Sequence, residues 1–319
     1  MPSPLVDAGL LPEADRPYAE TLADKRRFVA EAFRRRGVDA DVAEVVPSPR
    51  IHGARARVKL RVGAGGRLGF FRPGTHEFVA VPLHDLVRPE LVAAAAEIET
   101  AGGARGEFEI RSDGTRCVVS ADLAFSGPAD LAVKGRRVRG NPTLTVDGLR
   151  VSPGSFYQVN LELNVLLVAR VDELLRDLAP AGLLDLYGGI GNLSAAAARR
   201  GTPLTLVESS ADAVADARHN LARTQARVVK DNADKTEAGA HMADVILLDP
   251  PRAGAPGVLR ELTLTRPRAI VYVSCDPVTL ARDVTSIAGY RLERVETWDM
   301  FPGTTHVETL AWLTRTDRR

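Results

Sequence analysis

The chain has 319 residues, 45% hydrophobic and 26% charged, with a formal net charge of +1; this length suggests two domains, or one large domain with an addition. No apolar run approaches the length of a membrane span, and residues 1–20 carry acids and prolines instead of a secretion signal. Two cysteines, Cys117 and Cys275, are too few for a disulfide framework, an iron–sulfur cluster or a Cys-rich zinc site, so no metal is expected and a reducing cytoplasm is the natural setting.

Residues 1–16 are polar and contain prolines, and are expected to form a flexible tail. Over 17–36, Tyr18, Leu22, Phe28 and Phe33 recur near helical spacing among charges, which predicts an amphipathic helix. Residues 47–150 change character. Val58, Leu60 and Val62 alternate with polar residues, glycines turn the chain over 63–66, and Leu68, Phe70 and Phe71 follow as the second arm of a hairpin. "FEIRSDGTRCVVS" repeats the pattern around Asp113-Gly114, and "LTVDGLRVS" around Asp147-Gly148. An antiparallel sheet with a helix at 89–100 is predicted, with Cys117 as a small core residue in one strand. In "RARVKLRV", Arg55, Arg57, Lys59 and Arg61 share one face of one strand, and "KGRRVRG" adds Lys134, Arg136, Arg137 and Arg139. A solvated sheet face and an RNA-facing surface both fit; the second would make binding fall steeply with salt.

From about residue 151 apolar strands alternate with helical stretches: "GLLDLYGG", "PLTLVES", "ADVILLDPP" and "AIVYVSC". Continuous apolar strands belong in a parallel sheet covered on both faces, with the ligand crevice at the carboxyl ends of the strands. The first strand runs into Gly188, Gly189 and Gly191, a turn that nicotinamide, flavin and nucleotide folds share. The second ends at Glu208, nineteen residues after Gly189, where an acid accepts ribose hydroxyls. No phosphate-binding lysine follows the glycines, which excludes a P-loop; S-adenosylmethionine and NAD both qualify. Asp231-Asn232 sits where a loop reaches an adenine edge, or is ordinary turn chemistry.

Asp249 closes the next strand, Pro250-Pro251 stiffens the backbone immediately after it, and Arg252 suits a phosphate or a developing oxyanion better than stacking; a solvated loop is the bland alternative. In "IVYVSCDPVTLARD", Asp276 is a good N-cap and Pro277 a good first helical residue. Cys275 therefore stands just outside a helix N-terminus, where the macrodipole favours thiolate. In "DMFPGTTHVETLAWL", Glu308 enters an apolar final strand, either to pair with an arginine or as a base whose pKa burial raises. Gln158, in "SFYQVN", is an amide among aromatics: a satisfied core group, or a reader of a base edge.

"SFYQVN", "LDLYGGIGNLS", "LLDPPRAGA", "IVYVSCDPVTLARD" and "DMFPGTTHVETLAWL" together resemble, in order and approximate spacing, the signatures of the RNA uracil-C5 methyltransferases, which make 5-methyluridine in transfer or ribosomal RNA. The resemblance covers residues 150–319 strongly and 17–80 more weakly. It implies an α/β protein: a Rossmann-like class I methyltransferase domain with a mostly parallel sheet at 151–319, a leading helix at 17–46 packing on it, and a smaller α+β antiparallel-sheet domain for RNA binding at 47–150. It implies Cys275 as nucleophile and Glu308 as base. Gln158, Tyr187, Asn192, Glu208, Asn232 and Asp249 would line the S-adenosylmethionine site, and Arg252, Arg55, Arg57, Lys59 and Arg61 would meet the substrate. RNA, transfer or ribosomal, is the expected partner of a monomer that needs no membrane.

The sequence departs from the family pattern in three places. The added small RNA-binding barrel of many relatives is not expected, the four cysteines of an iron–sulfur cluster are missing, and Gly188 stands where relatives often carry cysteine. Competing expectations are cytosine-C5 methylation, a small-molecule methyltransferase, and a catalytically silent RNA-binding or RNA-folding protein of the same fold.

Overall fold

The computed structural model describes residues 3–98, 106–122, 126–127, 130–133, 136–236 and 243–316, without side chains at 64, 131–133, 136–138 and 263. The chain divides into two compact units: Met1–Thr21, Ser48–Asn164 and Phe301–Thr305 form one, and Leu22–Pro47, Val165–Met300 and His306–Arg319 the other.

Helix α1 (Pro4–Asp7) opens the chain and α2 (Tyr18–Arg34) follows. The first unit carries a seven-stranded sheet of β1 (Arg57–Val62), β2 (Leu68–Phe71), β3 (Phe78–Val79), β4 (Glu107–Ser112), β5 (Cys117–Ala121), β6 (Asp130–Val133) and β7 (Arg136–Arg139), in the order β3-β2-β1-β4-β5-β6-β7. Along β1, Val58 and Leu60 are buried while Lys59 and Arg61 face solvent, the period-two pattern of a sheet with one covered face. A separate hairpin pairs β8 (Leu144–Val146) with β9 (Leu149–Val151). Asp147 and Gly148 at its turn have φ of 50° and 76°, the two positive values that a type I′ turn needs.

The first sheet is antiparallel except for β5 and β6, which pair in parallel, a departure from the all-antiparallel expectation. Its core gathers Leu60, Leu91, Phe108 and Ile110, with α3 (Pro89–Ala96) supplying Leu91. Residues 3–16 are not a loose tail. Ser3 caps α1, and Leu5 and Leu11 lie in that same core, 2% and 5% exposed. Polar and proline composition concealed two leucines that the sheet needs to close its apolar face.

The second unit is a doubly wound sheet. α4 (Leu161–Leu178) leads into β10 (Leu183–Leu186), α5 (Ala195–Arg199), β11 (Leu204–Glu208), α6 (Ala211–Asn220), β12 (Arg227–Lys230), β13 (Val245–Leu248), α7 (Pro256–Thr265), β14 (Ala269–Ser274), α8 (Pro277–Ser286), β15 (Tyr290–Trp298) and β16 (Glu308–Arg315). The strand order is β12-β11-β10-β13-β14-β16-β15, parallel from β12 to β14 and antiparallel for β16 and β15. Every residue of β10, β13 and β14 is buried, as helices on both faces require. Val29, Ala32 and Phe33 of α2 share this core with Leu280, Ala281 and Val284 of α8.

Two features of this topology place the chemistry. The chain winds outward from β10 in both directions, so a crevice opens beside β10 and β13. And β16 runs against its neighbour, so its first residue, Glu308, lies at the same edge as the carboxyl ends of the parallel strands. β15 escaped the sequence reading because Arg291, Glu293, Arg294 and Glu296 give it the look of a polar loop. It is an edge strand, and Val42 and Val46 bridge to it. Among the described residues no helix is long and apolar enough to cross a membrane.

Candidate active site

The carboxyl edge of the second sheet is built strand by strand. Asp185 in β10 is 1% exposed and accepts a hydrogen bond from Ser194 Oγ at 2.5 Å. Burial, with smaller contributions from Asp249 and Glu208, pushes its carboxyl up to about 7. The next residue but one, Tyr187, takes a left-handed φ of 60° and swings the chain into the glycine turn. At Gly188 a Cβ would stand 2.5 Å from Leu206 Cγ, so the side chain of Leu206 fills the room that a larger residue would need. Gly189, with φ 54° and open space above it, donates its N–H to Glu208 Oε2 at 3.1 Å. Asn192 is half-buried in the turn before α5.

Glu208, at the end of β11, is tied from both oxygens. Oε1 accepts from Ser210 N at 2.7 Å and from Ser209 Oγ at 3.3 Å, while Oε2 takes the Gly189 bond. A carboxylate has about four acceptor positions, so it keeps capacity for a ligand. Asn232 is exposed after β12, and its Oδ1 is spent on Asp234 N at 2.9 Å, capping a short 3₁₀ turn. Turn chemistry thus claims its carbonyl oxygen.

At the neighbouring strands Asp249, Cys275 and Glu308 come together. Asp249 follows β13, and burial pushes its carboxyl up to about 7. Ser274, the last residue of β14, pairs with Thr309, so Cys275 and Glu308 are the next residues at adjacent strand ends. Glu308 is 3% exposed. Its pKa is raised well above the ordinary value by burial and then by Asp249, with Arg252 opposing. Cys275 is half-buried, outside α8, whose N-cap Asp276 accepts from Val278 N at 2.9 Å and Thr279 N at 3.0 Å.

The thiol does not sit low, as a helix end alone would dictate. Burial raises its pKa, and Glu308 and Asp249 add to the rise, while the Arg252 guanidinium opposes it. The two carboxyls repel a thiolate only when ionised. Cys117, by contrast, is pushed up to about 12, chiefly by burial, and its Sγ donates to the Glu90 carbonyl at 3.2 Å.

The remaining sequence candidates belong to the first unit. Gln158 is 8% exposed beside a small cavity of about 20 Å³ lined by Arg57, Arg111, Tyr157 and Leu144, room for about one water. Other members of its motif are structural: Tyr157 OH donates to Asp147 Oδ2 at 2.7 Å, and Asn160 Nδ2 donates to Ser48 Oγ at 2.8 Å.

The basic stripe is not a free cationic strip. Arg61 pairs with Glu107 at 2.7 Å, and Lys59 lies 3.5 Å from Glu107 and 3.7 Å from Glu109, because β4 sets its acids opposite β1. Arg57 stacks over Phe156, 4.9 Å from the ring centre, and burial brings the Arg55 guanidinium down to about 10. Lys134 and the side chains of Arg136 and Arg137 lie outside the described residues; Arg139 is exposed.

Two acids were overlooked in the sequence: Asp185 and Asp283, the latter on α8. The signal that exposed Glu308, a carboxylate inside an apolar run, was equally present at Asp185 in "LLDLYGG".

The chain is similar to several known proteins. Residues 144–316 match the family model described as tRNA (Uracil-5-)-methyltransferase. The 23S rRNA (uracil(1939)-C(5))-methyltransferase RlmD of Pseudomonas fluorescens is 31% identical over 92% of this chain and 76% of its own length. RlmD of Thiobacillus denitrificans is 41% identical over 51% of this chain and 40% of its own length. Among solved structures, the Pyrococcus abyssi tRNA (uracil-54, C5)-methyltransferase, in complex with S-adenosyl-L-homocysteine, superposes with a TM-score of 0.76 at 26% identity, covering 93% of this chain and 84% of its own.

Proposed function

The chain belongs to the tRNA (uracil-5-)-methyltransferase family, and from that premise we propose that it forms 5-methyluridine in RNA through a transient bond between Cys275 and uracil C6. The observation that carries the reading is the meeting of Cys275, Glu308 and Arg252 at one edge of one sheet.

The donor set fits S-adenosylmethionine. Glu208 keeps acceptor capacity for ribose hydroxyls, the backbone is open at Gly189, and Asp249 supplies a carboxylate for cationic groups. When bound, S-adenosylmethionine supplies an electrophilic methyl group. Tyr187 and Asn192 flank the glycine turn and complete the lining.

The chain's own residues do the rest. Carbon 5 of uracil is a weak nucleophile. The Cys275 thiolate adds its electron pair to C6, and the displaced π electrons move onto the ring as an enolate, rich at C5. Arg252, whose charge lowers the thiol's pKa, favours the thiolate before attack and offers a cation for the oxyanion afterwards. Once C5 carries the methyl group, Glu308 takes the C5 proton. The C5–H electron pair re-forms the ring double bond, and the C6–S bond breaks to return the thiolate. A carboxylate with a raised pKa is a stronger base for that abstraction. Extruding the target nucleotide costs a few kcal/mol, so contacts to RNA beyond the one base are needed.

The test uses RNA from cells grown on 5-fluorouracil, whose ring cannot release a C5 proton. Parent protein with S-adenosylmethionine should give a denaturation-resistant RNA adduct, and Cys275→Ala none. With ordinary RNA, Glu308→Gln should accumulate a methylated adduct. Normal turnover by Glu308→Gln would remove the base from the proposal, and an adduct on Cys275→Ala would remove the nucleophile.

A further inference from the structure

The motif "IVYVSCDPVTLARD" ends in Arg282-Asp283, which the chemistry above leaves unused. Asp283 is 1% exposed. Its Oδ2 accepts from Tyr272 OH at 2.7 Å and from Ala255 N at 3.1 Å, and its Oδ1 accepts from Arg282 Nε at 2.8 Å and Nη2 at 2.6 Å. Arg282 Nη2 also donates to the Ala253 carbonyl at 2.8 Å, and Thr279 Oγ1 donates to the Arg252 carbonyl at 3.1 Å.

Three backbone groups of one short loop, at residues 252, 253 and 255, are thus gripped by side chains of α8. The loop enters through Pro250-Pro251 and turns with Gly254 N donating to the Pro251 carbonyl at 2.8 Å. Gly254, at φ 84°, passes so close that a Cβ would lie 2.4 Å from Asp283 Oδ2 and 2.5 Å from Arg282 Nη2. No side chain fits between loop and clamp. The side chain that this loop projects is Arg252; the loop follows β13 and Cys275 follows β14, its neighbour in the sheet, and the Arg252 charge opposes the rise of the thiol's pKa.

We propose that Asp283 is a positioning residue: with Tyr272, Arg282 and Thr279 it locks the loop 250–255 so that the Arg252 guanidinium is held against Cys275. A long exposed arginine on a free loop would sample many rotamers and lend a thiolate little. A loop pinned at three points restricts the sampling to the side chain alone. The same helix carries the clamp and caps the turn that presents Cys275, so donor and thiol share one rigid support. The catalytic meaning of the clamp rests on Cys275 being the nucleophile, but its physical effect is read on the thiol itself.

The experiment measures alkylation of Cys275 by iodoacetamide against pH in the full-length protein, followed by mass spectrometry of the peptide that holds it, so Cys117 does not intrude. The charged groups facing the thiol are Arg252, Glu308 and Asp249. Arg252→Ala sets the ceiling, an upward move of the alkylation midpoint of about one pH unit, about tenfold in rate below it. Asp283→Asn and the milder Tyr272→Phe should each move the midpoint the same way by part of that amount. Added to Arg252→Ala, neither should move it further, because they act through Arg252.

The readout separates positioning from mere stability, since a structural role alone lowers the melting temperature and leaves the midpoint in place. If Asp283→Asn fails to fold, Tyr272→Phe carries the test. Midpoints that stay with the parent in Tyr272→Phe and Asp283→Asn while Arg252→Ala moves its own would overturn the clamp. RNA methylation by Cys275→Ala would instead overturn the nucleophile and leave the clamp standing.

Discussion

Asp185 should make the stability of the protein respond to pH in the opposite sense from an ordinary paired carboxylate, and replacing it by Asn should remove that response. In the folded chain the Asp185 carboxyl holds its proton up to about 7, whereas the ordinary value is 3.8. Between those values the native state binds more protons than the unfolded chain. Stability is therefore greatest below about pH 4 and is lost as pH rises toward 7, at about 1.4 kcal/mol per unit. Over this window the loss amounts to about 4 kcal/mol.

Asn keeps an oxygen for the Ser194 hydroxyl but brings an amide donor into the site; leaving that donor unmet costs about 1–3 kcal/mol at every pH. Asp185→Asn should thus be less stable than the parent at pH 4 and more stable at pH 8, with the two curves crossing in between. Urea denaturation of parent and variant across that range, without ligand, reads the difference directly. A variant-minus-parent difference that does not change with pH would refute the assignment of a protonated, desolvated carboxyl beneath the glycine turn.

Lys25 and Asp299 form a buried ion pair, 4% and 0% exposed. Lys25→Met should cost about 3–5 kcal/mol in chemical denaturation because it removes the charge that faces the buried carboxylate, whereas Lys25→Arg should retain most of the stability. Leu5→Ala should cost about 2–4 kcal/mol, as a core truncation does; a thermal transition unchanged from the parent would restore the loose-tail reading. Since Glu107 and Glu109 face Lys59 and Arg61, the double change Glu107→Gln and Glu109→Gln should tighten RNA binding and steepen its salt dependence. Lys59→Ala alone should lower the logarithmic salt slope by less than about one, which filter binding at several salt concentrations would resolve.

Period and punctuation determined much of this protein before any fold was known. The hairpins at Asp113-Gly114 and Asp147-Gly148 follow from turn chemistry flanked by alternating residues, and the doubly wound sheet follows from apolar strands spaced by helices. Cys275 stood out by its place, ending a strand ahead of a capped helix, and Glu308 as a carboxylate entering an apolar strand, where its burial is costly without a partner. Only tertiary structure decided what those groups feel. The antiparallel insertion of β16 between β14 and β15 brings Glu308, thirty-three residues on in the chain, beside Cys275, and burial together with its carboxyls overrides the lowering that a helix end gives the thiol. It likewise set Glu107 and Glu109 against the basic stripe, drew Leu5 and Leu11 into a core, and closed Asp283 onto the loop of Arg252. These are interactions between residues distant in sequence, and their energies depend on separation and on the exclusion of water, quantities that spacing along a chain does not contain.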